Sequence, residues 1–145
     1  MTTQSPPLTG QDINLAARAV RDVLDALLDQ AHLSFIQLIA LQTLAGPTPP
    51  ANRQGLVDDI ATRLRADTHA VSTSITGLSR RRLVDDASDQ PRLTADGRQL
   101  LERMLASVSR ATAQLYADFA PDDLATTRRV LVELIERAPR VSAEF

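Results

Sequence analysis

Apolar residues recur along this chain at spacings of three and four, and that period, not the alternation of a strand, organises most of it. Ile13, Ala16, Val20, Val23, Leu24, Leu27 and Leu28 form one stripe, which predicts a helix over about 11–29 with Thr9 and Asp12 as its capping start. Ser34, with Gln37 three residues later, makes a capping box for a second helix reaching Ala45. Gly46-Pro47 ends that helix, and Thr48-Pro49-Pro50 is a stiff connector that extends neither neighbour. Asn52 caps a third helix to about Arg65, and Asp67 or Thr68 caps a fourth to about Arg82. Leu83-Val84 reads as the start of a short strand, and 85–92 as a polar turn. Thr94 caps a long helix to about Phe119, with Leu100, Leu101, Met104, Leu105, Val108, Ala111 and Leu115 on its apolar side. A last helix opens at Pro121, a residue suited to the first helical position, with Asp122 and Asp123 at the positive end of the dipole; Pro139 is expected to stop it. The pattern predicts a mostly α fold, with 1–10 as a flexible lead-in and 11–145 as one folding unit.

The third and fourth helices are short and joined by a tight turn, the arrangement of a helix-turn-helix. Ile60, Ala61 and Leu64 share a face of the first, where the small Ala61 permits a close approach. Val71, Ile75 and Leu78 share a face of the second. At about 100° per residue the opposite face carries His69, Thr73, Thr76 and Arg80, flanked by Ser72 and Gly77, with Thr68 at the helix start. Surface helices usually carry Glu and Lys there. Short hydrogen-bonding side chains instead enter a major groove without steric or charge conflict, and Arg80, Arg81 and Arg82 then reach phosphates at its edge. The bland reading is a solvated helix face followed by a chance run of arginines.

Charge distribution adds to this picture where net charge does not. The chain of 145 residues carries a net charge of −2, with 43% hydrophobic and 23% charged residues, which suits a folded domain and excludes a uniformly basic binder. Over 63–82, however, Arg63, Arg65, Arg80, Arg81 and Arg82 stand against Asp67 alone. There is no Lys, so each of these contacts is planar and capable of bidentate bonding. The absence of Cys excludes disulfides, thiolate metal sites and cysteine redox sensing, and fits a cytoplasmic setting. No apolar run approaches the roughly 18 residues of a membrane span, and 1–10 lacks the plan of a signal peptide.

Other residues offer less. His32 and His69, without Cys, make no metal site, and nothing calls for a cofactor. His69 reads as a recognition-helix residue and His32 as a surface or pocket one. Phe35, Tyr116 and Phe119 read as core residues ahead of pocket lining. Asp58-Asp59 lies near a helix start, where the dipole favours it. No nucleophile motif or phosphate-cradling glycine loop points to an enzyme.

Order and spacing together resemble the MarR family (multiple-antibiotic-resistance type) of bacterial regulators. Ile60-Ala61-Thr62-Arg63-Leu64 matches that family's L-A-x-x-L. Leu78 stands four residues before Arg82-Leu83-Val84, where the family has G-L-V, and Leu93 to Arg98 matches L-T-x-x-G-R. Ser34-Phe35-Ile36-Gln37 also resembles the family's helix start. The resemblance implies a winged helix-turn-helix over 33–94, with 11–30 and 95–138 as dimerisation helices. It implies a homodimer, a palindromic operator in double-stranded DNA read through successive major grooves, repression, and release by a small aromatic or phenolic ligand held between the DNA-binding lobe and the dimer arms.

One segment departs from that family. Only 85–92 separates the two wing motifs, too little for two full strands. Asp85, Asp86 and Asp89 make it acidic, which opposes phosphates. Pro91 limits pairing, Arg92 is the sole basic candidate in the wing, and Arg82 replaces the usual Gly. These departures favour an alternative: a dimeric protein-interaction or ligand-binding protein of the same fold that has lost DNA binding.

Overall fold

The computed structural model describes residues 6–145; residues 1–5, the first half of the expected lead-in, lie outside the described residues. Helices α1 (Gly10–Gln30), α2 (Phe35–Ala45), α3 (Arg53–Leu64) and α4 (Thr68–Arg80) come first. Strands β1 (Val84–Asp85) and β2 (Arg92–Leu93) follow, then α5 (Ala95–Tyr116) and α6 (Pro121–Ser142). The fold is mostly α, with a helix-turn-helix, a short wing and long terminal helices.

Local chemistry sets the helix starts. Thr9 and Asp12 form a reciprocal capping box on α1, and Ser34 and Gln37 form another on α2. The Thr9 hydroxyl, and secondarily its backbone N–H, donate to the Asp12 carboxylate and hold its pKa below the usual carboxylate value. The Asn52 side chain accepts from the Gly55 N–H at 2.7 Å, and that of Asp67 from the Ala70 N–H at 3.2 Å. Between the two expected caps of α4 the structure selects Asp67, and Thr68 becomes the first helical residue.

Three helix ends share one unexpected device. After α1, α3 and α4 the chain turns through the left-handed region at His32 (φ 52), Arg65 (φ 50) and Arg82 (φ 58), none of them glycine. At the end of α4 the Leu83 N–H donates to the Leu78 carbonyl and the Arg82 N–H to that of Ser79, the paired bonds of a Schellman closure. The same pattern at the end of α1 runs from Leu33 to Leu28 and from His32 to Asp29.

The described residues group into two compact units, 6–111 and 112–145. The first holds the core. Ile60 and Ala61 of α3 and Val71, Ile75 and Leu78 of α4 are buried, as the helical spacing predicts, together with Leu38, Leu41 and Leu44 of α2. Leu83, Val84, Leu101 and Met104 complete it from the wing base and α5. Strands β1 and β2 pair antiparallel, Val84 with Leu93 and Asp85 with Arg92, so the wing has two strands of two residues each.

The second unit corrects two boundaries. Helix α5 ends at Tyr116 and not near Phe119, because Asp118 turns left-handed at φ 71 and the Phe119 N–H folds back onto the Tyr116 carbonyl. Pro139 does not stop α6, which continues to Ser142. The proline removes one amide donor, but it sits in the exposed last turn, where water can satisfy the Ile135 carbonyl; Ile135 is 73% exposed. Tyr116 and Phe119 are exposed rather than in the core, while Phe35 is half-buried beneath the Arg21 guanidinium, 3.9 Å from the ring centre. No single helix among the described residues is long and apolar enough to cross a membrane.

Candidate nucleic-acid interface

Helix α4 presents its polar face because its opposite side is anchored by Val71, Ile75 and Leu78, each with no exposed surface. Thr68, His69, Thr73 and Arg80 are exposed. This face has little bulk: Ala70 lies beside His69, and the Ser74 hydroxyl is turned back onto the Ala70 carbonyl at 3.0 Å. An outward helix of this kind, free of carboxylates, suits the floor of a major groove.

Ser72 and Thr76, expected on the same face, are half-buried and already engaged. Arg53, at the first position of α3, spans to both. Its Nη2 donates to the Ser72 carbonyl at 3.0 Å, the Ser72 hydroxyl at 3.3 Å and the Thr76 Oγ1 at 2.9 Å. The Thr76 hydroxyl in turn donates to the Ser72 carbonyl at 3.1 Å, which uses its single proton. Arg53 was not among the residues singled out by the helical pattern. Its partners lie 19 to 33 positions away, and no local spacing reveals them.

The three arginines at the end of α4 separate. Arg80 is exposed at the helix end. Arg81 reaches back to the end of α1, donating from Nη1 to the His32 carbonyl at 2.6 Å and from Nη2 to the Ala31 carbonyl at 3.2 Å. A cation is favoured there by the carbonyls at a helix C-terminus. Arg82 is exposed in its left-handed turn, and its carbonyl accepts the Thr94 hydroxyl at 2.7 Å.

The wing folds tightly. Ala87 N–H donates to the Asp85 carboxylate, the Ser88 hydroxyl to the Gln90 carbonyl, and Pro91 is buried. Asp86 pairs with Arg53 Nη1 at 2.7 Å, so one of the three wing carboxylates is neutralised within the chain. Asp85 and Asp89 remain exposed, and exposed Arg92 lies opposite Asp85 across the strands. Within this unit, an open cleft of about 220 Å³ between α1 and α5 is lined by Leu27, Ala31, Leu100, Arg103 and Met104, among others.

No protein-family profile and no curated protein sequence matches this chain. Its backbone does match solved structures. A MarR family protein of Mycobacterium tuberculosis, solved in complex with DNA, superposes with a TM-score of 0.71 over 90% of this chain and 98% of that one, at 22% identity. The chain has the MarR-type winged-helix fold. MepR, a transcription regulator of the Staphylococcus aureus multidrug efflux pump MepA, matches with a TM-score of 0.68 over 90% of this chain and 99% of that one, at 19% identity. A MarR family protein of Bacillus stearothermophilus matches with a TM-score of 0.70 over 89% and 91%, at 16% identity. Within this MarR-type frame, α4 is the second helix of the helix-turn-helix.

Proposed function

We propose that this chain is a homodimeric DNA-binding transcription regulator, a repressor that reads a palindromic operator with α4 in the major groove. The observation that carries the reading is the outward face of α4: Thr68, His69, Thr73 and Arg80 exposed on a helix whose other side is fully buried. The likeness to a DNA-bound MarR family structure supports the placement. Thr68, His69 and Thr73 take the base edges, Arg80 a guanine edge or a phosphate, and Arg82 a phosphate. Arg92 is the one cation the wing offers toward the minor groove.

Dimerisation is supported by apolar side chains left uncovered in each unit. Leu15, Val20 and Leu105 are exposed in the first, and Leu131, Leu134 and Ile135 in the second. The cleft between α1 and α5 suits a small aromatic or phenolic ligand, with Leu27, Leu100 and Met104 against its ring and Arg103 for its anionic group. Ala31 lines this cleft and gives its carbonyl to Arg81, so the cleft and the end of α4 share a residue.

Selection of sites from random duplexes by the purified protein tests the reading. It predicts enrichment of a palindrome with half-sites about one helical turn apart and steep weakening with salt. Arg80→Ala weakens binding by about 1–3 kcal/mol if Arg80 reads a base. The competing reading, a dimer of this fold without DNA binding, rests on the short acidic wing. A selection that enriches no sequence decides for it.

A further inference from the structure

We propose that Arg53 is a positioning residue that joins the wing and α4 into one rigid body and thereby decides which α4 side chains can read DNA; this rests on the regulator reading above. The guanidinium holds two elements at once. One nitrogen grips Asp86 in the wing at 2.7 Å, and the other grips Ser72 and Thr76 of α4. The same residue's backbone N–H, left without an intrahelical partner at the start of α3, donates to the wing carbonyl of Asp89 at 3.1 Å. Both halves of Arg53 therefore hold the loop between β1 and β2.

The arrangement requires arginine. A planar fork presents donors in two directions, whereas a lysine ammonium on the same stem is a single point and cannot keep both elements. The fork is only partly solvated, with side-chain exposures of 33% for Arg53 and 30% for Asp86, so screening does not dissolve the pair. Its consequence is a division of labour on α4. Ser72 and Thr76 are committed to the latch, and base reading falls to Thr68, His69 and Thr73 with Arg80. A two-strand wing this short has few backbone bonds of its own, so the latch substitutes for the missing ladder.

Two variants isolate the latch from bulk electrostatics, because both keep the local charge: Arg53→Lys, and the double substitution Arg53→Ala with Asp86→Ala. The first readout is amide hydrogen exchange at Ala87, at residue 53, whose N–H donates to the Asp89 carbonyl, and along α4 in the DNA-free protein. Faster exchange in both variants at unchanged helical content supports the latch; wild-type exchange overturns it. The second is the ratio of operator to random-duplex affinity as a function of salt. The expected result is a loss of preference of about tenfold, the scale of one misread base pair, with an unchanged salt slope on random DNA. A slope reduced by about 0.9 in the double variant overturns the proposal, because Arg53 would then contact a phosphate directly. A lysine variant with wild-type preference also overturns it. If exchange rises in the variants while even the wild type prefers no sequence, the latch stands and the regulator reading fails.

Discussion

At Gly97 a single hydrogen atom decides whether α5 can start where it does. A Cβ there would overlap the Leu83 carbonyl oxygen, with the Leu83 carbonyl carbon also too close at 2.9 Å. That oxygen already accepts the Thr94 N–H, so it cannot move without loosening the turn from wing to helix. Gly97→Ala is expected to lower the unfolding free energy by about 3 kcal/mol, at the upper end for overpacking because the obstacle is backbone. Urea titration followed by circular dichroism checks this. A loss below about 1 kcal/mol would mean that the strand base yields easily. Residue identity was readable along the chain only where chemistry is local. Thr9, Ser34, Asn52 and Asp67 announce helix starts because each cap acts within three residues. Arg53 carries no such mark. In one dimension it is an unremarkable residue after a cap, and its role appears only when the wing and α4 arrive beside it.

The elements were legible by their buried stripes and less so by their ends. Val71, Ile75 and Leu78 emerge from spacing alone because burial follows the helical period. The ends of α1, α3 and α4 lack the glycine that normally signals a left-handed closure, so the pattern placed them only approximately. The misplaced stop at Pro139 has a related cause: proline breaks a helix by its missing donor and its ring, and both are tolerated in a solvated last turn. Arg82 shows what a non-glycine closure costs and what it provides. Its left-handed backbone is disfavoured for an L-residue, yet its side chain adds a cation beside α4. Arg82→Gly is therefore expected to raise stability by about 0.5–1 kcal/mol, the left-handed strain less the extra chain entropy of glycine, while it weakens DNA binding. Thermal unfolding and filter binding on the same preparation separate the two effects; a fall in both would show that Arg82 supports the fold.

For the molecule as a whole, the second unit is the informative part. Helix α6 has no buried residue among its 22 positions in the single chain, although Leu131, Val132, Leu134 and Ile135 lie along it. A face of that composition is costly in water, and under the proposed function a second copy covers it. Sedimentation equilibrium is expected to give a dimer at micromolar concentration. Leu131→Asp with Ile135→Asp is expected to shift it toward monomer by at least about 3 kcal/mol, since two charges would be desolvated against apolar surface. Retention of a full dimer by that variant would place the contact elsewhere. Sequence spacing cannot say whether such a stripe stays uncovered within one chain, since burial against self and against a partner produce the same periodicity.

The two-residue strands of the wing set a limit on vocabulary. If the chain reads DNA as proposed, four outward side chains and a minimal wing spell a short word at each half-site, and short words recur by chance throughout a genome. Such a reader spends most of its copies on accidental matches. On that reading, effective control would depend on abundance and on clusters of operators more than on the strength of any single one, and the genes under its influence would form a graded set rather than one switch.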